Sequence, residues 1–283
     1  MSSALEKSLA IIELLVEHPL GLPVTSIASA VDQPVSGVHR NLQELARLGY
    51  VRQSQSGGDY VLTMKLPAIG LGFMGRAGLT DVAQPVLDRL AAESGELVRL
   101  SVIDGENLTW VAVAQGATRG LRYDPGQEQG VVVHLATSAG GRAWLASLSD
   151  DAALALVAAQ GLHRKTEDAG PDAPDNMAQL LRELAEARAR GYATAVNSYL
   201  AGMAAMAVPV QARATGPALG CLSIAGPAVR MTTARMSELA PALQAAAREL
   251  GTSAAGTRYF QQILHRLELD AQVVPHDNEP KPQ

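Results

Sequence analysis

Apolar residues recur every three to four positions along three short stretches near the N-terminus. Leu5, Leu9, Ile12 and Val16 form one stripe over residues 4–17, which Ile11, Leu14 and Leu15 widen and His18, Pro19 and Gly21 end. Ile27, Ala28 and Val31 mark one face of a helix barely two turns long, which Thr25 is placed to cap and Asp32, Gln33 and Pro34 break. Val38, Leu42 and Leu45, at i, i+4 and i+7, bury one side of a third helix and leave Ser36, His39, Arg40, Gln43 and Arg47 on other sides. A short helix held by one stripe, with polar residues on its leading face, has the form required to read a major groove.

Two strand-like runs follow, Tyr50 to Gln53 and Tyr60 to Leu62, separated by a turn that contains Gly57-Gly58-Asp59. Helix, turn, helix and hairpin together predict a winged helix-turn-helix, with Arg52 in the wing as a phosphate contact. Ordinary core helices of a larger α domain are the alternative, and they require both the wing and the one-sided stripe to be accidents. Arg40 is the strongest base-reading candidate, because a guanidinium can bond two acceptors on guanine; its competing role is an ion pair with Glu44.

Residues 65–80, KLPAIGLGFMGRAGLT, leave Leu66, Ile69, Phe73 and Met74 exposed if the N-terminal domain stands alone. They predict a linker helix that packs either on a second copy of itself or on its own C-terminal domain. From Asp81 the pattern becomes mixed. A helix through Val82, Val86, Leu87 and Leu90 ends near Gly95, and strands are predicted over 97–103 and 108–114, with Leu121–Asp124 and Val131–Val133 continuing the sheet. Ser138, Asp150 and Asn176 are placed to cap three helices, residues 161–175 form a long loop, and Met206–Gln211 and Ala218–Ala225 are strands before a last helix over 232–250. Successive hairpins with grouped helices predict an α+β domain built on an antiparallel sheet. The expected organisation is a DNA-binding domain over 1–64, a linker helix over 65–80, a second domain over 81–251 and a C-terminal extension over 252–283. The proline-containing, charged end of that extension, Val273 to Gln283, is expected to be disordered.

Composition narrows the class. The chain has 283 residues, 47% of them hydrophobic, which is enough for two cores. One cysteine, Cys221, excludes an internal disulfide and a cysteine-built zinc site, and fits a reducing cytoplasm. No apolar run reaches membrane-spanning length, and AIIELLV is interrupted by Glu13 and lacks a basic leader, so a soluble, unexported, cytoplasmic protein is expected. The net charge of −5 does not announce a nucleic-acid binder, and residues 1–66 carry five cations against six acids. Placement matters more: Arg40, Arg47 and Arg52 lie on the reading helix and wing, while Glu6, Glu13 and Glu17 lie on the first helix. Few phosphate contacts per subunit then have to be multiplied by symmetry, so a dimer or larger is expected.

The motifs ALEKSLAIIELL, PVSGVHRNLQELARLGYV, TSAGGRAWLA, ARARGYA followed by GMAAMAVPV, and LSIAGP resemble, in their order and spacing, the IclR family of bacterial transcriptional regulators from about Leu5 to Gly251. The resemblance implies a winged-helix domain, a linker helix used in dimerisation and a C-terminal effector-binding domain similar to GAF and PAS folds. It also implies dimers or dimers of dimers that repress or activate operons for the breakdown of small organic compounds, with double-stranded operator DNA as partner and no cofactor. Val35 and Gly37 stand where the family has a basic residue and threonine, so base reading falls on Ser36, His39, Arg40 and Gln43.

By the same resemblance the effector pocket lies around Ser138, Ala139 and Gly140, then Asn197, Ser198 and Tyr199, then Met203, Ala205, Cys221 and Ser223. Many of these positions are small, and the loop AVNSYLAGM carries no carboxylate. The expected effector is a carboxylate on a fairly bulky body, an aromatic one included, held by Ser138, the Gly140 backbone, Asn197 and Tyr199, with Arg99 or Arg122 adding counter-charge if either points inward.

Two other classes compete. Cys221 with His134 imitates a nucleophile and base, but no Asp or Asn is spaced to orient the histidine, and the six histidines show no metal-ligand spacing, so neither an enzyme nor a metal site is expected. A sensor or scaffold whose helix-turn-helix no longer binds DNA is the second alternative. Salt-dependent retention on heparin or DNA separates it from a true binder.

Overall fold

The computed structural model describes residues 3–55, 57–78, 83–117, 120–123, 129–164, 166, 169–213, 216–254, 257 and 261. The chain divides into two compact units, Met1–Arg76 and Ala77–Gln283. The expected disordered tail at 273–283, and Thr80 to Val82, where the expected linker helix gives way to the next domain, lie outside the described residues.

The N-terminal unit contains α1 (Ala4–Val16), α2 (Val24–Ala30), α3 (Val35–Arg47), the hairpin β1 (Val51–Gln53) and β2 (Tyr60–Leu62), and all but the last residue of α4 (Lys65–Ala77). Helix α1 starts in a capping box: Glu6 N–H donates to Ser3 Oγ at 3.1 Å and Ser3 N–H to Glu6 Oε2 at 2.7 Å. Its buried residues are Ile11 and Leu15, whereas Leu5, Leu9 and Val16 of the predicted stripe are 68%, 46% and 54% exposed. The unit is small and needs only the narrow edge of α1; that edge meets Ile27, Ala28, Val38, Leu42, Leu45, Val51 and Tyr60 in one core. Full burial of side chains such as Val38 and Leu42 is worth about 2 kcal/mol each.

Thr25 does not cap α2. Pro23 and Pro34 precede α2 and α3 with extended backbone and no side-chain cap bond, so Thr25 and Ser36 fall inside the first turns with exposed side chains. The turn between the helices runs through Asp32 at φ 49°, and Gln33 N–H returns to Ala28 O at 3.0 Å. Gly21 is fixed by close approach: at φ 94°, a Cβ would lie 2.5 Å from Val61 Cγ1, where Leu22 pairs with Tyr60 against the wing.

In the C-terminal unit, five antiparallel strands run in the order β4-β3-β7-β6-β5: β3 (Leu97–Asp104), β4 (Asn107–Gln115), β5 (Ala193–Val196), β6 (Met203–Gln211) and β7 (Ala218–Pro227). One face, with Val98, Leu100, Met206, Val208, Leu222 and Ile224, is covered by α5 (Ala83–Ser94) and α9 (Thr233–Ala254). The other, with Trp110, Ala193, Ala195, Ala207 and Cys221, is covered by α6 (Ala139–Ala146), α7 (Asp150–Gln160) and α8 (Met177–Arg190). This is the α+β fold expected from the successive hairpins.

Local corrections have simple causes. Ser149, not Asp150, caps α7, its side chain accepting from Ala152 N–H at 3.3 Å; Asp150 follows in the first turn. Ser138 and Asn176 cap α6 and α8 as predicted. Leu121–Tyr123 form no strand, whereas Val131–Val133 lie along β4 without forming a strand of their own: Trp110 N–H donates to Val131 O at 3.2 Å, Val133 N–H to Leu108 O at 2.7 Å, and Val132 bridges Thr109; Asp124 lies outside the described residues. Strand β5 was not predicted: ATAV is too short and small to announce itself.

Candidate functional site

On α3 the two sides separate cleanly. Val38, Leu42 and Leu45 are buried, while Ser36, His39, Arg40, Gln43 and Arg47 are exposed, with Ser36, Arg40, Gln43 and Arg47 following one another along a single stripe. Thr25 on α2 and Arg52 on β1 are exposed as well. The predicted competitor for Arg40 is already engaged elsewhere: Glu44 takes Arg47, with Nε to Oε2 at 2.9 Å and Nη2 to Oε1 at 2.5 Å. The bond from Arg47 holds the Glu44 carboxyl below its ordinary range. Arg40 therefore projects from the helix with its predicted partner taken.

The second candidate site lies in the C-terminal unit, where α6 meets the sheet. Gly141 lets the segment leading into α6 pass close to the helix, since a Cβ would fall 2.3 Å from Leu135 O. The Ser138 side chain accepts Gly141 N–H at 3.0 Å, so the amides of Ala139 and Gly140 are left unused by the cap. Ser138, Ala139, Tyr199, Met203 and Ala205 border a hollow together with Arg99, Tyr123, Ala195, Leu200, Ala204 and Ala225. The hollow encloses about 20 Å³, room for about one water.

Among the described residues Arg99 is the only cation in that wall, and it is 6% exposed. Its guanidinium lies 4.4 Å from the centre of the Trp110 ring and 6.0 Å from that of Tyr123. Trp110 in turn meets Tyr199 edge-on at 5.5 Å, and Arg164 lies 4.0 Å over the other ring of that pair, Tyr199. Stacking on aromatic faces is a favourable setting for a guanidinium out of water.

The other predicted pocket residues are placed differently. Arg122 is exposed and does not border the hollow. Asn197 makes the turn: at φ 47° it accepts Gly202 N–H on Oδ1 at 2.9 Å. Ser198 is buried and takes Arg142. Gly140 lies behind the wall, its Cβ direction facing Leu108, Ser101 and Cys221 at ordinary contact distance. Cys221 belongs to the core under α6, and the Ser223 hydroxyl donates to Arg99 O at 3.4 Å.

The comparisons with known proteins decide what these two surfaces belong to. The model of the IclR helix-turn-helix domain matches residues 4–55, and that of the bacterial transcriptional regulator IclR C-terminal domain matches residues 72–252. The chain is 32% identical over 248 residues to the HTH-type transcriptional regulator BhcR of Paracoccus denitrificans, covering 87% of this chain and 85% of that protein. The chain belongs to the IclR family. It is 28% identical to the acetate operon repressor of Salmonella typhimurium, over 90% of this chain and 91% of the other. A solved IclR homologue from Microbacterium hydrocarbonoxydans, complexed with 4-hydroxybenzoate, shares the fold at a TM-score of 0.72 and 20% identity, covering 90% of this chain and 100% of that one.

As an IclR-family member the protein is a DNA-binding transcriptional regulator: the exposed face of α3 lies in the helix-turn-helix and the hollow beside α6 in the C-terminal domain. Cys221 is buried in the core under α6, and burial pushes its thiol above its ordinary value. Among the described residues no helix is long and apolar enough to cross a membrane.

Reasoning from the sequence missed Trp110, Tyr123 and Arg142 and left Arg99 undecided between pocket and solvent. One signal was available for Arg99: it shares the strand phase of Leu97, Ser101 and Ile103, so once β3 is an inner strand covered on both faces, that phase is buried.

Proposed function

We propose that this regulator represses an operon for the breakdown of a small organic acid and that the acid itself is the effector, bound by its carboxylate to Arg99. The observation that carries the reading is the burial of Arg99 in the hollow beside α6, stacked on Trp110. A buried guanidinium bordering a hollow is an anion receptor, and a charge-assisted pair there is stronger than one in water. The Ser138 hydroxyl and the first-turn amides of α6 would take the second carboxylate oxygen or a polar group on the body. Ala139, Ala195, Ala205 and Ala225 supply small walls, and Met203 an adaptable one. Space for one water is too little for an acid of any size, so binding has to displace Tyr123 or the turn carrying Tyr199. That displacement is a difference between two states that a ligand can select.

DNA contact is assigned to Ser36, His39, Arg40 and Gln43 as readers and to Thr25, Arg47 and Arg52 as phosphate contacts. The unit is expected to work as a dimer or dimer of dimers. Leu5, Leu9 and Val16 on α1 and Ile69, Leu71 and Phe73 on α4 are 46–69% exposed, apolar side chains that a second copy would cover. Two copies of α3 would then meet half-sites about 34 Å apart, and α4 would carry the change of spacing that the effector selects.

The test is a gel-shift titration of the purified protein against its own upstream intergenic DNA, with and without aromatic and aliphatic acids and their amides. Specific binding that an acid alters and its amide does not is the expected result. Absence of DNA binding at low salt would return the chain to the class of sensors that have lost their DNA, and equal response to acid and amide would refute the role of Arg99.

A further inference from the structure

Helix α4 leads out of the N-terminal unit without joining its core: none of its described residues belongs to the cluster around Ile11, Val38 and Leu42, and Ile69 and Leu71 are exposed. Its start is tied instead to the end of α3. Leu48 closes α3, and Lys65 Nζ donates to Leu48 O at 2.6 Å, Thr63 Oγ1 to Gly49 O at 2.6 Å and Thr63 N–H to Tyr50 O at 2.9 Å. Two residues thus hold three successive carbonyls. The hairpin that separates the two helices is bypassed, since Lys65 and Leu48 lie 17 residues apart in sequence.

Each group suits its place. A helix C-terminus presents carbonyls without intrahelical partners and a partial negative charge, which a lysine ammonium satisfies. The Lys65 stem passes over Gly49, whose Cβ direction meets Cδ at 3.7 Å, and the ammonium lies 4.8 Å from the centre of the Tyr50 ring. Gly49, at φ 82°, makes the turn that brings these carbonyls to one side. The Thr63 hydroxyl also accepts Lys65 N–H at 3.2 Å, so it donates to the end of α3 and accepts from the start of α4 at once.

We infer that Thr63 and Lys65 are positioning residues that lock the direction of α4 to that of α3, so that the angle at which α4 leaves each N-terminal unit sets the separation of two reading helices on the operator. The inference rests on the proposed pairing of two copies and adds the side chains that convert a movement of α4 into one of α3. With this clamp released, α3 would still fit a single half-site, because Ser36, His39, Arg40 and Gln43 are untouched. What loosens is the fixed distance between two.

Gel-shift titration of the full chain tests it, on the DNA that wild type selects from random sequence, on a copy with the half-sites moved apart by about five base pairs, half a helical turn, and on a single half-site. Wild type is expected to bind the altered spacing at least about tenfold more weakly than the selected one, since the second half-site is lost. Thr63→Val with Lys65→Met should weaken the selected spacing about fivefold and narrow the gap between the two spacings, while half-site affinity and salt slope stay as in wild type. Thr63→Ser with Lys65→Arg, which keeps both donors, should restore the gap. Lys65→Met alone changes an exposed side chain and is expected to fold and to narrow the gap part-way should the double variant not fold. An unchanged gap in the folded variants would overturn the inference, and a salt slope lowered by about one in Lys65→Met would make the lysine a phosphate contact instead. A wild type that selects no paired half-sites, or is indifferent to their spacing, would overturn the pairing of copies as well.

Discussion

The Arg142 guanidinium donates from Nη2 to Ser198 Oγ at 2.8 Å, tying helix α6 to the turn that presents Tyr199. The same group donates to Ala136 O and Thr194 O, each at 2.8 Å. Glu183 Oε2 lies 3.0 Å from Nη1 as an ion pair, without the alignment of a hydrogen bond. Burial lowers the Arg142 pKa and Glu183 opposes the shift. Arg142→Met should therefore destabilise the C-terminal unit by about 3 kcal/mol, because it leaves three acceptors without their donor and the partly buried Glu183 without its counter-charge. Thermal unfolding measures that loss. As a positioning residue Arg142 should also set effector affinity, with Arg142→Lys restoring part of both properties; unchanged effector affinity in a folded Arg142→Met protein would confine the residue to stability.

Arg99→Leu keeps the apolar contact with Trp110 and removes the charge. Acid binding should fall by about 2 kcal/mol, some thirtyfold, and the preference for acid over amide should vanish, while operator binding without effector stays as in wild type. Titration with an acid and its amide, followed by tryptophan fluorescence in a Trp144→Phe background that leaves Trp110 as the reporter, reads both.

Arg40 and Arg52 should separate by the kind of loss. Arg40→Ala should cost about 1 to 3 kcal/mol on the operator and relax sequence preference at one position in each half-site. Arg52→Ala should weaken all sequences alike and reduce the salt slope by about one for each phosphate it no longer neutralises. Adding charge at the start of α3 makes the converse case. Val35 is 47% exposed, and Val35→Arg is expected to tighten binding and steepen the salt dependence. Gel shifts at three salt concentrations distinguish these cases.

The winged helix was legible because its signals are local: a stripe at i, i+4 and i+7 on α3, a break at Asp32-Gln33-Pro34 and a glycine-rich turn. The antiparallel sheet was legible as hairpins, but not its order. Placement of β3 between β4 and β7 depends on a partner more than a hundred residues away, and only that placement buries Arg99. Arg122 looked equivalent to Arg99 in sequence, because nothing local distinguishes an inner strand from an exposed irregular segment. Arg142 was visible within TSAGGRAWLA but had no obvious task, since three of its partners lie on segments 40 to 60 residues downstream. Side chains that serve a site through distant backbone are the least legible class.

Helix α1 reverses the expected order of its two stripes, and the reversal has a consequence in solution. Leu9 is 46% exposed and Phe73, on α4, is 52% exposed. If these faces join two copies, Leu9→Glu and Phe73→Ala should each weaken the dimer by about 1 to 3 kcal/mol while the core of Ile11 and Leu15 keeps the unit folded. Sedimentation velocity over a dilution series gives the dissociation constant. Wild-type association in both variants would place the interface elsewhere, and wild-type effector control in Phe73→Ala would remove α4 from the transmission of the signal.

His134 makes stability depend on pH. Its ring is lowered to a pKa of about 4, first by burial and then by the charge of Arg164, with Nδ1 3.0 Å from Thr137 Oγ1. The unfolded chain titrates near 6.5, so between pH 6.5 and 4 it binds more protons than the folded one, and stability rises with pH across that window. The contribution is complete above pH 6.5 and lost on acidification; discounted for partial exposure, it is about 1 kcal/mol. His134→Gln, which retains a polar partner for Thr137, should flatten the urea-unfolding midpoint between about pH 6.5 and 4.5 relative to wild type. An equally steep wild-type and variant profile would assign the acid sensitivity to carboxylates instead.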